Sequence, residues 1–127
     1  MTQEWKNAVC FGRIDALQGL LAAGADIDAR DEHGQSALML AAVDGLEAVV
    51  KWLVERDARL DLTAKYGLSA LMLAVVNGHV EVVRTLVRAG ANPELRGSGA
   101  PGFAGKTALD LAVARGEPEI VNLLRSV

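Results

Sequence analysis

Apolar side chains recur along the chain at the spacing of one helical face, in short blocks separated by polar, glycine-bearing stretches. Val49, Val50, Leu53 and Val54 form one such block and Val82, Val83, Leu86 and Val87 another, each the buried stripe of an amphipathic helix. A shorter block precedes each: Leu38, Leu40 and Ala41, then Leu71, Leu73 and Ala74. Ser36 and Ser69 stand just ahead of these, where a hydroxyl can accept from the free N–H groups of a helix start. Gly45 and Gly78 end the shorter blocks, and Gly24, Asp57 and Gly90 follow the longer ones. Glycine enters the left-handed conformation without penalty and aspartate is among the few other residues that tolerate it, so each of these reads as a helix stop. The pattern therefore predicts a short helix, a tight turn, a second helix and a polar connection, used repeatedly.

The repetition has a fixed step. Gly12, Gly45 and Gly78 are 33 residues apart and Gly116 follows after 38. Gly34, Gly67 and Gly105 step by the same 33 and 38, as do Leu38, Leu71 and Leu109, and Ala41, Ala74 and Ala112; Leu20, Leu53, Leu86 and Leu124 keep the period too. Self-similarity at such a period marks an array of supersecondary units, each unable to hide its apolar faces until a neighbour stacks on it. The units run approximately over 1–30, 31–63, 64–96 and 102–127, with a turn-rich insertion at 97–101, Gly97-Ser98-Gly99-Ala100-Pro101, that lengthens a loop. The ends differ from the middle. Asp110 and Arg125 replace apolar residues of the inner units, and Lys6 stands in the register of Met39, so a complete, capped array forming one domain is expected.

Composition narrows this picture. The chain is 51% hydrophobic but only 4% aromatic, so its core is built from small aliphatic groups suited to closely packed helices. Thirteen basic and 16 acidic residues, scattered and summing to −3, supply no stripe for neutralising phosphates, and no nucleic-acid partner is expected. Cys10 is the only cysteine, so an internal disulfide and a multi-cysteine zinc site are both impossible, and a reducing compartment is expected. The first residues lack the layout of a signal peptide and no apolar run approaches a membrane span, so a cytoplasmic protein without a membrane partner is expected.

The repeated residues resemble the ankyrin repeat. Asp31-Glu32-His33-Gly34-Gln35-Ser36-Ala37-Leu38-Met39-Leu40-Ala41-Ala42 is similar to that family's D-x-x-G-x-T-P-L-H-x-A-A pattern, and Gly78-His79-Val80-Glu81-Val82-Val83 to its Gly-His helix start. Ala23-Gly24-Ala25-Asp26-Ile27-Asp28 and Ala89-Gly90-Ala91-Asn92-Pro93 resemble its polar connection. Two positions depart from it. Ala37, Ala70 and Ala108 replace the proline, and Met39, Met72 and Asp110 replace the histidine, so apolar contact has to stand in for that histidine's hydrogen bonds. The resemblance implies an all-α solenoid of four stacked helix-turn-helix repeats with connecting β-turn fingers, needing no cofactor and binding a protein partner, with the free chain a monomer.

In this family the projecting turns and the exposed side of the first helices form a concave binding surface. Carried over by position, the resemblance selects Phe11, beside Cys10; Glu32, His33, Gln35, Val43 and Asp44; Lys65, Tyr66, Leu68, Val76 and Asn77; and Phe103, Lys106, Ala114 and Arg115. These positions change between repeats while their flanks do not, so packing leaves them unconstrained. Phe11, Tyr66, Leu68 and Phe103 are the expected anchors, because a rigid apolar group on an exposed turn adds little to folding but much to an interface. The charges are uneven along the row, with Glu32 and Asp44 at one end and Lys65, Lys106 and Arg115 farther on, which predicts a partner of complementary polarity.

Other chemistry is thin. Ala100 to Thr107 fits a loosened phosphate-loop pattern, and nucleotide binding at Gly105-Lys106-Thr107 is one alternative, yet the same residues are the register equivalents of Gly34-Gln35-Ser36. A structural or self-associating subunit is the other. His33 and His79 fall on different parts of the repeat with no third ligand nearby. Cys10 shares the register of Val43 and Val76 and reads as a small hydrophobe, and Trp5 and Trp52 as core. No catalytic or metal site is expected.

Overall fold

The computed structural model describes residues 1–127. It contains eight helices in four pairs: α1 (Gln3–Cys10) with α2 (Ile14–Ala22), α3 (Ala37–Asp44) with α4 (Glu47–Glu55), α5 (Ala70–Val76) with α6 (Val80–Ala89), and α7 (Ala108–Arg115) with α8 (Pro118–Arg125). The first helices stack in sequence, α1 on α3, α3 on α5 and α5 on α7, while α4, α6 and α8 stack in a second file. This is the all-α solenoid that the resemblance implied, with isolated bridges in place of strands.

Local sequence sets the ends of each helix. Ser36 and Ser69 accept from Met39 and Met72 N–H at 3.3 Å, and both serines are buried with their helix starts. Thr107 does the same for Asp110 N–H, and Asp110 returns the bond to Thr107 N–H, closing a capping box. Gly12, Gly45, Gly78 and Gly116 take left-handed φ values at the tight turns. At the ends of the second helices Gly24, Asp57 and Gly90 do likewise, and the N–H groups of Ala25, Ala58 and Ala91 reach back to Leu20, Leu53 and Leu86 carbonyls at 3.0 to 3.1 Å. Asp57, at φ 61°, thus takes the position of its sister glycines.

The core is one continuous layer between the files. Leu38 and Leu71 are buried at matching places, Leu109 at the end of the array only half so. Met39 and Met72 are each 1% exposed, so the thioethers fill the space left by the absent histidines. Trp5 and Trp52 are buried with ring centroids 6.3 Å apart, and the Arg56 guanidinium covers the outer indole at 4.3 Å. Between repeats the connections are laced by carboxylates: Asp28 accepts from Arg59 N–H at 2.9 Å and Asp61 from Asn92 N–H at 2.8 Å.

The extra residues lie inside the last repeat's finger. In the second repeat the finger is closed by Asp31 N–H to Gln35 C=O at 2.9 Å, and in the third by Ala64 N–H to Leu68 C=O at 3.1 Å. In the fourth, the matching bond runs from Gly97 N–H to Lys106 C=O at 2.9 Å. Arg96 fixes the alignment, since its guanidinium donates to Gly105 C=O just as Arg30 donates to Gly34 C=O. Gly97 therefore stands in the register of Asp31 and Ala64, and residues 98–104 replace a two-residue tip.

Candidate functional site

The three fingers, residues 30–36, 63–69 and 96–107, differ because their first residues differ. Asp31 Oδ1 accepts from His33 and Gln35 N–H, both at 2.9 Å, which shapes the second repeat's tip. Its other oxygen lies 3.2 Å from Lys6 Nζ, which also contacts Glu32 at 3.0 Å, so the finger is tied to α1. Burial opposes ionisation of Asp31, but the two backbone donors and Lys6 outweigh it and hold the carboxyl below its ordinary value. A depressed pKa contributes stability that is present above the unfolded-state value and lost as pH falls through the folded one. Asp31→Ala is therefore expected to cost about 1 to 3 kcal/mol at neutral pH, and the gap to wild type in urea melts should close on acidification below the ordinary carboxylate range. A gap that persisted in acid would mean Asp31 acts otherwise than as a carboxylate.

Ala64 offers no such acceptor. The third finger closes instead through a 3-10 turn over Lys65–Gly67, with Tyr66 in the left-handed region at φ 63°. That conformation costs a bulky residue about 1 kcal/mol or more, and the fourth finger supplies compensation. Ser98 N–H donates to Tyr66 C=O at 2.7 Å, and the Phe103 ring lies against Tyr66 with centroids 5.7 Å apart. Lys65 Nζ sits 5.0 Å from the Tyr66 ring centre. The lengthened finger thus folds back onto its neighbour and holds an aromatic pair at the surface.

Beside this pair a cleft of about 340 Å³ opens between the second and third fingers, with His33 and Gln35 on one wall and Lys65, Tyr66, Leu68 and Leu73 on the other. Five residues selected from sequence, His33, Gln35, Lys65, Tyr66 and Leu68, are brought together here, with Phe103 adjoining through Tyr66. Lys106 is exposed on the fourth finger, and Asp44 and Asn77 are exposed at the ends of their helices. Phe11 is 73% exposed but lies apart, lining a groove of about 540 Å³ on the outer face of the first helix pair with Leu20 and Gly19.

Several of these residues are not the free contacts that the sequence suggested. Leu68 is buried, forming the floor of the cleft and not an exposed anchor. Phe103 is half-buried against Tyr66. Glu32 is paired with Lys6, and its own backbone N–H together with the Lys6 hydrogen bond holds its carboxyl below the ordinary value. Arg115 bonds to Glu117 and donates to Val76 C=O at 2.8 Å, binding the last repeat to the one before. It does there what His79 does one repeat earlier, where Nε2 meets Val43 C=O at 2.8 Å. Cys10, expected to pack as a small hydrophobe, is exposed, and local desolvation with the nearby Asp44 raises its thiol above the usual value.

Sequence reasoning missed Arg30 and Arg96, whose guanidiniums brace the second and fourth fingers. Their spacing of 66 residues, twice the period, was the available signal. It also missed Leu73, because an apolar residue in a helical stripe reads only as core. The Gly105-Lys106-Thr107 stretch has the Thr107–Asp110 box at its helix start, so a carboxylate occupies the place a phosphate would need. Hydrogen bonds to Thr107, with Lys106 and Arg96 nearby, keep Asp110 ionised below its normal range. No group of three His, Cys, Asp or Glu side chains is placed to hold a metal ion, and no helix is long and apolar enough to cross a membrane.

A search of curated proteins finds no match to the chain. The family model described as "Ankyrin repeats (3 copies)" matches residues 6–97, ending where the finger lengthens. Ankyrin repeats are generally protein–protein interaction modules. With its four stacked helix pairs, left-handed glycine turns and projecting fingers, this chain belongs to the ankyrin-repeat family.

Proposed function

We propose that this protein is an adaptor or inhibitor that covers part of a partner protein with its fingers and inner helices, itself performing no catalysis. The observation that carries this reading is the Tyr66–Phe103 pair. A lengthened finger and a left-handed tyrosine keep two aromatic rings together at the rim of an apolar cleft, with Tyr66 still exposed to a partner. Rigid aromatics beside a pocket are the usual anchors of an interface. His33, Gln35, Lys65 and Lys106 surround them, Leu68 and Leu73 form the cleft's floor and wall, and Asp44 and Asn77 extend the surface along the inner helices.

The test is a purified complex. A protein captured by the wild-type chain and then reconstituted should lose at least about 2 kcal/mol of binding energy, roughly thirtyfold in Kd, against Tyr66→Ala/Phe103→Ala. Glu55→Ala, on the exposed side of α4, should leave the affinity unchanged. Equal affinity for the aromatic variant and the wild type, with both folded, would overturn the reading. Sedimentation of the free chain is expected to give a monomer.

A further inference from the structure

We infer that the partner segment received by the second, third and fourth fingers is an acidic stretch of polypeptide that places one branched apolar side chain in the cleft. The inference rests on the protein-binding reading above and adds the chemistry of what is bound.

Its basis is an imbalance of charge. The chain as a whole is at −3, yet the fingers carry Arg30, Lys65, Arg96 and Lys106 against two carboxylates, Asp31 and Glu32. Lys6 Nζ, 3.2 Å from one and 3.0 Å from the other, offsets one of these two charges. The four cations are exposed, and none has a carboxylate within salt-bridge distance. Asp110, capped by Thr107 N–H, faces Lys106 and Arg96 and offsets part of their charge, which still leaves the fingers net positive. Arg30 and Arg96 use guanidinium N–H groups on Gly34, Thr63 and Gly105 carbonyls, which fixes their positions without neutralising them. A preorganised, net positive rim around an apolar cleft is complementary to an anionic segment with an apolar insert, and such a field speeds encounter as well as selecting the partner.

The walls choose polypeptide over polynucleotide. Ala64, Leu68 and Leu73 suit an aliphatic group, and the Tyr66 ring, already engaged by Phe103 and Lys65, is a poor platform for a stacked base.

A random dodecapeptide library displayed on phage, panned on the full chain, tests this. Enrichment of Asp- and Glu-rich peptides bearing one Leu, Ile or Val is expected. Fluorescence anisotropy with a selected peptide should show roughly tenfold weaker binding to Lys65→Glu/Lys106→Glu. Lys51→Glu/Arg88→Glu, the same charge change on α4 and α6, should bind within about twofold of wild type; all variants are checked for an unchanged melt. Selected peptides with no acidic bias whose binding still needs Tyr66 would overturn the charge assignment and leave the fingers as the interface. Peptides indifferent to Tyr66→Ala would remove the interface reading itself. No enrichment over an unrelated helical protein, or displacement of the peptide by a single-stranded oligonucleotide of any sequence, would also overturn the inference.

Discussion

Leu53→Ala is expected to lower the unfolding free energy by about 3 to 5 kcal/mol, a large part of the 5 to 15 kcal/mol or so that a domain of this size commands. Leu53 is fully buried in α4, and its carbonyl also receives Ala58 N–H at the helix end. Shortening it leaves a cavity between helix pairs that cannot collapse, because the fingers and connections on either side fix their spacing. The sister residue Leu20 makes the control. It occupies the same register but is only half-buried, facing the open groove of the first pair, so Leu20→Ala should cost distinctly less. Urea melts followed by circular dichroism would measure both. Equal costs would mean the core is not continuous through the second pair.

Gly97→Ala should damage one finger while sparing the stack. Gly97 is buried, and a Cβ built there would press into the Phe103 carbonyl, a backbone atom that has no easy retreat. Relieving the clash means breaking the bonds from Gly97 N–H to Lys106 C=O and from Gly105 N–H to Gly97 C=O, a loss of about 2 kcal/mol or more. Hydrogen exchange should rise sharply over residues 97–106, including Ser98, whose bond to Tyr66 would also go, while the amides of α4 and α6 stay protected. Gly102→Ala is the contrast: nothing lies within 4 Å of its Cβ position, and it should be nearly neutral. Any affinity lost with Gly97→Ala would then come from freeing Phe103 and Tyr66 and not from unfolding. A trimmed finger keeps a glycine at this position: removing 98–102 yields the same chain as removing 97–101, because Gly102 then stands where Gly97 stood, and it restores the short finger.

How much of this could be read from the chain follows from the range of each interaction. The helix pairs, their serine and threonine caps, the glycine turns and the left-handed Asp57 rest on backbone requirements satisfied within a few residues, and the period repeats each of them several times. The insertion's existence was equally plain from a step of 38 where 33 was due. Its place was not, because a loop's register is fixed by which amide meets which carbonyl.

What only the tertiary structure decided are contacts between repeats. Lys6 reaches Asp31 and Glu32 across 25 and 26 positions, Arg115 reaches Val76 across 39, and Tyr66 meets Phe103 across 37. Each depends on how far one helix pair is translated and turned on the next, a quantity no single repeat encodes. That is why Glu32 and Arg115 looked free and Leu68 looked exposed. The sequence by itself settled which positions repeat and which vary; stacking settled which of the varying ones remain open to a partner, since a side chain is available for binding only when no neighbouring repeat has already claimed its charge or its surface.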